Sequence, residues 1–447
     1  MLLPMLPSRR PDPAAPLADT DQDLAMALLR DGAIAPHLLL QALAERGRDG
    51  GRLVDLLLSR ALVREGPLYA ALARISGIGL ADLRPAADPR LIDRLGAATC
   101  LRLGLLPLQS RGAVTLVAVA TPELFRQHNA RLVQVFGPVV PLLAPPEAMA
   151  RALRRVRGRQ LARAAETLVA AGESCRSYRR PGARAIVPLG LALLASLAAP
   201  RLVLAVLALW AVATLLLTMA LKAAALAASL RRPPPEPANP AIIARLPVVS
   251  VMVALYRESA IAARLVRRLS QIDYPRPLLD VLLVVEEADQ LTRQALARAD
   301  LPPWMRVVVA PAGRVMTKPR ALNFGLGQCR GSIVGVYDAE DAPEPDQIRR
   351  IVARFAQRGP QVACLQGVLD FYNPRRNWLA RCFTVEYAGW FRVILPGLER
   401  LGLPVPLGGT TLFFRRAALE RLGGWDAHNV TEDADLGIRL CRHGYRT

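Results

Sequence analysis

Residues 332–357 read SIVGVYDAEDAPEPDQIRRIVARFAQ, and their pattern decides the fold. An uncharged run (332–337) is followed at once by Asp338, Glu340 and Asp341, and then by DQIRRIVARFAQ (346–357), whose apolar residues fall at helical spacing. The same unit recurs upstream. VVSVMVAL (248–255) precedes the helix-like RESAIAARLVRRLSQI, DVLLVV (280–285) precedes a second helical stretch, and RVVVA (306–310) precedes a loop and PRALNFGLGQC. Continuous apolar strands alternating with amphipathic helices predict an α/β domain with a mostly parallel sheet covered on both faces. In such sheets ligands bind beyond the carboxyl ends of the strands.

Acidic residues stand at those ends. Glu286, Glu287 and Asp289 follow DVLLVV, and Asp338, Glu340 and Asp341 follow SIVGVY. Two acidic groups converging on one sheet edge repel unless a cation lies between them, and Asp-x-Glu after a buried strand suits Mg²⁺ or Mn²⁺ carrying a diphosphate. Lys318, in TKPRALNFGL, opens a helix in a chain whose only other lysine is Lys222; a compact ammonium there suits a phosphate. A third cluster, Glu432, Asp433 and Asp435, opens a helix after GGW (423–425). Other signatures fail. Neither lysine sits in a phosphate-binding G-x-x-x-x-G-K-[ST] loop, GLGQCRG (325–331) leads into a strand instead of following one, and neither H-E-x-x-H nor G-x-S-x-G occurs.

Before the sheet, RRPPPEPANP (231–240) reads as a stiff linker. It follows two uncharged runs, 185–199 and 202–221, separated by Pro200-Arg201 and flanked by basic residues on both sides. By the positive-inside tendency this predicts a transmembrane hairpin over 185–221 with both ends cytoplasmic; the alternative is one span at 202–221, which would put residues 1–200 and their arginines outside the membrane. Residues 151–184 carry ten arginines against Glu166 and Glu173. We read 156–184 as a basic juxtamembrane segment at an anionic leaflet. Further upstream, DLAMALLRDGAIAPHLLLQALAE (23–45) and RLVDLLLSRALVREGPLYAALARI (52–75) form a repeat of helix pairs, with strands at AVTLVAVA (113–120) and VVPLL (139–143) after it. The start, MLLPMLPSRRPDP, lacks the order of a signal peptide.

Composition agrees. The 447 residues suit several domains, and 52% hydrophobic against 21% charged residues exclude a disordered chain. The net charge of +21 is almost all arginine and tracks the Ala/Leu/Arg-rich composition, so it is no argument for nucleic acid. The six cysteines are scattered, with no C-x-x-C pair, which excludes a zinc ribbon or a disulfide framework.

Taken in order, VSVMVALYRE, YPRPLLDVLLVVEEADQLT, TKPRALNFGL, VGVYDAEDAPEPDQI, PLGGTTLFFRRAAL and GGWDAHNVTEDADLGIRL resemble the family 2 glycosyltransferases, most of all the membrane-embedded, cellulose-synthase-like branch. The resemblance covers 247–447 and implies a GT-A, Rossmann-like domain that transfers sugar from a nucleotide diphosphate, a UDP-sugar, to a glycan acceptor with inversion, building a cell-surface polysaccharide at the bacterial inner membrane beside other export proteins. It implies Ala254, Glu258 and Glu286 at the nucleoside, Lys318 and Asp338 at the nucleotide sugar, Asp338 and Glu340 (in place of a second Asp) on Mg²⁺ or Mn²⁺, and Asp433 as general base. Synthases of this branch carry Q-x-x-R-W and further spans beyond the catalytic acid; none appears up to Thr447, which implies a domain incomplete at its carboxyl end. Residues 20–155 resemble the N-terminal domain of type II secretion and pilus ATPases, some of which bind cyclic di-GMP through paired R-L-G-x-x-L-L-x-x-G motifs. Here Asp23, Ala25, Val54, Ala61 and Ile75 depart from that motif while Arg52 keeps it, so the expectation is docking rather than ligand binding. The competing expectation for the whole chain is a catalytically inactive membrane regulatory or docking protein.

Overall fold

The computed structural model describes residues 20–178, 186–231, 245–258 and 260–447; the proline-rich linker expected over 231–246 lies largely outside them. The helix-pair repeat forms as read: α1 (Thr20–Arg30) and α2 (Pro36–Asp49), then α3 (Leu53–Ser59) and α4 (Glu65–Ser76). Each pair turns through a left-handed residue, Gly32 in the first and Ala61 (φ +52°) in the second, where an alanine takes a conformation that favours glycine. Then come α5 (Pro89–Leu95), α6 (Ala97–Leu103), β1 (Leu105–Arg111), β2 (Val114–Val119), α7 (Pro122–Phe136), β3 (Val139–Leu143) and α8 (Pro146–Glu166). Strand β2 pairs antiparallel with β1 and parallel with β3. Thr121 caps α7 by accepting from the Leu124 amide, with Pro122 at the first helical position.

Two apolar helices follow, α9 (Ile186–Ala198) and α10 (Pro200–Leu230). Pro200 does not merely interrupt the apolar sequence; it is the first residue of α10, where its missing N–H costs nothing. The helix runs on through Lys222 to Leu230. Among the described residues α10 alone is long and apolar enough to cross a bilayer. The 13 residues of α9 span only about 20 Å.

The carboxyl-terminal region is α/β, as expected: β4 (Val249–Leu255), α11 (Ala262–Ser270), β5 (Leu279–Glu286), α12 (Gln290–Arg298), β6 (Met305–Ala310), α13 (Lys318–Leu326), β7 (Ile333–Tyr337), α14 (Gln347–Gln357) and β8 (Cys364–Gln366). The chain continues through α15 (Trp378–Gly389), a π-helical turn, α16 (Leu395–Arg400), β9 (Leu412–Arg415), α17 (Arg416–Arg421) and α18 (Glu432–Arg442). The sheet order is β6-β5-β4-β7-β9-β8, parallel through the first four strands and antiparallel at β9. One face of the sheet is covered by α11 and α14. The other is covered by α13, which presses so close that a Cβ on Gly325 would lie 2.9 Å from Val284 and 3.0 Å from the Met252 sulfur.

On that second face a single apolar cluster runs without a break from Leu24 and Leu28 through Leu153 and Leu161 to Met252, Val284, Leu322 and Trp425. The amino-terminal helices and the large sheet therefore share one core. The expected boundary at residue 155 falls inside α8. Arg154 donates to the Val309 carbonyl across this interface, whereas Arg155 donates to the Leu83 carbonyl and Arg157, within the segment read as juxtamembrane, pairs with Asp93, both inside the amino-terminal region. Asp55 of α3 meets Arg330, which also pairs with the buried Asp280.

Candidate active site

The carboxyl ends of β4, β5 and β7 lie side by side, because β4 is flanked by the other two. Asp338 is the first residue beyond β7. Its amide donates to Asp341 Oδ2 (2.9 Å) and to Thr410 Oγ1 (3.0 Å), and the Thr410 hydroxyl in turn donates to Asp341. Lys318, at the start of α13, donates its ammonium to Asp338 Oδ1 and to the Gly409 carbonyl (2.8 Å). Asp433, in the first turn of α18, reaches the same place: a Cβ on Gly409 would sit 3.2 Å from its Oδ2. Three segments far apart in sequence thus converge on the Gly409-Thr410 backbone. Thr411 next to it holds φ +55°, a strained conformation for a β-branched residue.

The cluster is partly buried and mostly acidic. Burial pushes the Asp338 carboxyl above its ordinary value; Lys318 pulls it back, and Glu340 and Asp433 push it further up. Burial likewise raises Asp341, against its bond from Thr410, and raises Glu432, against the attraction of Lys318. The structure therefore brings together Lys318, Asp338, Glu340, Asp341, Glu432 and Asp433. Lys318 is the cation that offsets their mutual repulsion.

The first acidic cluster does not join them, and the expectation of two clusters facing one cation needs correcting. Glu286 is buried and takes a hydrogen bond from Arg320, itself 1% exposed, so its charge is neutralised within the protein. Asp289 caps α12 through the Thr292 amide and holds the Arg257 amide. Glu258, whose amide donates to Thr292, lies after β4 in a loop that Arg257 (φ +57°) turns sharply, and the half-buried Ala254 is the last residue but one of β4 itself. Thr410, assigned no role from the sequence, is the group that ties Asp338 to Asp341; two glycines and two threonines before an apolar strand were its only signal.

A divalent cation suits this donor set. Among the described residues no three His, Cys, Asp or Glu side chains form a cage for an ion. Hard cations that carry phosphates, however, take one or two carboxylates and complete their shell with ligand oxygens. Asp338 and Glu340 offer that, and Lys318 already places positive charge against Asp338.

The family model for glycosyltransferase like family 2 matches residues 247–447, and that for the MshEN domain matches residues 76–163. A beta-monoglucosyldiacylglycerol synthase of Synechocystis sp. is 33% identical over 206 residues, which are 45% of this chain and 41% of that enzyme. A probable glucomannan 4-beta-mannosyltransferase of Arabidopsis thaliana is 24% identical over 45% of this chain and 37% of its own length. The chain thus spans less than half the length of these relatives. Among solved structures, a mannosyltransferase from Pyrobaculum calidifontis in complex with GDP-Man and Mn²⁺ aligns over 51% of this chain and 64% of its own, at 24% identity and TM-score 0.39. MshE with cdg aligns over 30% of this chain and 97% of its own, at 27% identity and TM-score 0.27.

Proposed function

We propose, for a chain whose residues 247–447 are a family 2 glycosyltransferase domain of GT-A-like fold and whose residues 76–163 are an MshEN domain, that it transfers a sugar from a nucleotide diphosphate, a UDP-sugar, to an acceptor hydroxyl with inversion. The observation that carries this is the meeting of Lys318, Asp338 and Asp433 around Gly409. Asp433 takes the proton of the acceptor hydroxyl as that oxygen bonds to the anomeric carbon. The bond from that carbon to the diphosphate breaks on the opposite face, and the nucleoside diphosphate leaves with the electron pair. Lys318 holds positive charge where the leaving diphosphate gains negative charge. Asp338 and Glu340 would hold Mg²⁺ or Mn²⁺, whose chemistry when bound is to neutralise that diphosphate.

The acceptor in this reading is a cell-surface glycan at a membrane, with both large domains on the cytoplasmic side. Supporting a shared side is the common core of residues 20–178 and 245–447, since a single crossing between them would separate its halves. The expected hairpin keeps them together; an odd number of spans does not. Near the end of α10, Ala225 packs against Phe391, Leu395 and Leu398. Trp378, Leu379 and Val385 of α15 are exposed nearby in the chain, as suits a bilayer surface. The test is UDP release from UDP-glucose by the full chain in detergent with Mn²⁺, with and without a membrane extract as acceptor source. Release that Asp433→Asn abolishes supports the reading, and absence of both donor binding and release favours the docking protein instead.

A further inference from the structure

Behind the catalytic cluster, the segment that ends α8 is built into the transferase domain. The Ala165 carbonyl accepts from Asn323 Nδ2 (2.9 Å), and Asn323 also holds both the carbonyl and the amide of Trp425 (2.7 and 2.9 Å). Glu166, 6% exposed, points away from its own helix and accepts from the amides of Arg314 (2.5 Å) and Val315 (3.3 Å). Gly313 makes room for it: a Cβ there would lie 2.3 Å from Glu166 Oε1 and 2.7 Å from Arg320 Nη1. Farther on, Ser174 Oγ and the Cys175 amide both donate to the buried Asp426 carboxylate (2.8 and 2.6 Å), and Glu173 meets His443 beyond the end of α18.

The contacts to Arg314, Val315 and Asp426, with Trp425 held through Asn323, fall on two loops. Residues 311–317 lead into Lys318, and residues 423–431 lead into Asp433. Thr317 Oγ1 donates to the Ala427 carbonyl (2.9 Å), tying one loop to the other. A carboxylate that accepts two successive backbone amides fixes that backbone more firmly than a neutral acceptor, and this one belongs to the helix that closes the MshEN match.

We infer that Glu166 is a positioning residue for sugar transfer: from the amino-terminal domain it holds the 311–317 loop, and with it Lys318, in register with the donor diphosphate. The inference rests on the proposed transferase reading and assigns part of the transfer site to a segment outside the transferase match. It also makes residues 247–447 alone an incomplete donor site.

The experiment compares the full chain with Glu166→Ala and Glu166→Gln in detergent micelles, using UDP-glucose and GDP-mannose with Mn²⁺ as donors and calorimetry of UDP binding as a second readout. Glu166→Ala is expected to raise the donor KM and the UDP Kd about tenfold, the worth of one charge-assisted hydrogen bond, while kcat stays within about twofold. Glu166→Gln, which keeps an acceptor oxygen but not the charge, is expected to recover about half of the loss in free energy and leave about a threefold rise. Faster deuterium exchange at the Arg314 and Val315 amides should accompany the change. Should Glu166→Ala fail to fold, Glu166→Asp tests the same contact and should move KM the same way. Unchanged donor KM and Kd in a folded variant overturn the inference alone, as does a loss confined to kcat. A wild-type chain that neither binds UDP nor releases it overturns the transferase reading and this inference with it.

Discussion

Replacing Lys318 by methionine removes the one ammonium in the acidic cluster while keeping the length and apolar stem of the side chain. Lys318 and Asp338 are 30% and 29% exposed, so solvent screens their pair only in part. A hydrogen bond to a charged group is worth about 1.5–3 kcal/mol net, and the exposure argues for the lower end, about 1.5 kcal/mol. Because the amino-terminal helices and the large sheet share one core, about 360 residues melt together, and the loss lowers the melting temperature by about 2 °C. The pH dependence has a definite sign. Asp338 already lies above the ordinary carboxyl value through burial, with Lys318 opposing the rise; without the lysine it rises further, and the site loses its negative charge at a higher pH. A cation entering K318M meets Asp338 without a competing ammonium, so Mn²⁺ should raise the melting temperature more in K318M than in the wild type. Transfer should fall about a hundredfold, as when one transition-state donor is lost. Thermal melts with and without Mn²⁺ between pH 5.5 and 8, on detergent-solubilised protein, provide the check. A variant that melts with the wild type and shows the same Mn²⁺ shift would refute the placement of Lys318 in the site.

Asp433→Asn should reduce transfer about a thousandfold, the range of a lost general base, while calorimetric UDP binding stays within about twofold; parallel loss of both removes its assignment. Asp280→Ala should destabilise the fold by about 3–5 kcal/mol, because Asp280 is 1% exposed and pairs with Arg306 and Arg330, measurable by denaturant or heat. Although burial alone would raise its carboxyl, those two guanidiniums hold it well below the ordinary range. Its stabilisation should therefore persist above about pH 4 and disappear only in stronger acid. Gly437→Ala should lower both stability, by about 3 kcal/mol, and kcat, because its Cβ would lie 2.1 Å from the Val405 carbonyl and push α18 off its seat. A variant with wild-type melting and rate would show that α18 is not held there.

The four parallel strands were legible because each is an unbroken apolar run between polar punctuation. Strand β1 was not: LLPLQSR carries a proline where its register slips between Pro107 and Gln109, and it ends in exposed polar residues. Three-residue β8 was below what a periodic pattern can mark. At the site, the acidic clusters that hold Asp338 and Asp433 were visible after a strand and at the start of a helix, but their convergence on Gly409 was not. The fate of Glu286 was hidden, since its neutralising partner Arg320 lies 34 residues away in a helix whose sequence announces no buried guanidinium. Glu166 was hidden more deeply. It sits among arginines that resemble a membrane-facing run; Arg155, Arg159 and Arg163 stay exposed, and only tertiary packing turns the face that carries Leu161, Ala165 and Glu166 inward.

The junction between α10 and α16 has a metric consequence. A 31-residue helix is about 46 Å long, some 16 Å more than a hydrocarbon core of about 30 Å. With its amino end at the far face, α10 would leave the core near Lys222, and its last two to three turns would stand in water. Gly397 lies against the backbone of Ala225 in this protruding part, so closely that a Cβ there would come within 2.1 Å of the Ala225 carbonyl. Arg400 donates to the carbonyls of Ala228 and Arg231. Under the proposed reading the helix would act as a post of fixed height, with the transferase domain bolted to it above the lipid plane. An acceptor would then have to present its hydroxyl at that height, which would discriminate among acceptors by reach alone, before any side chain reads their chemistry.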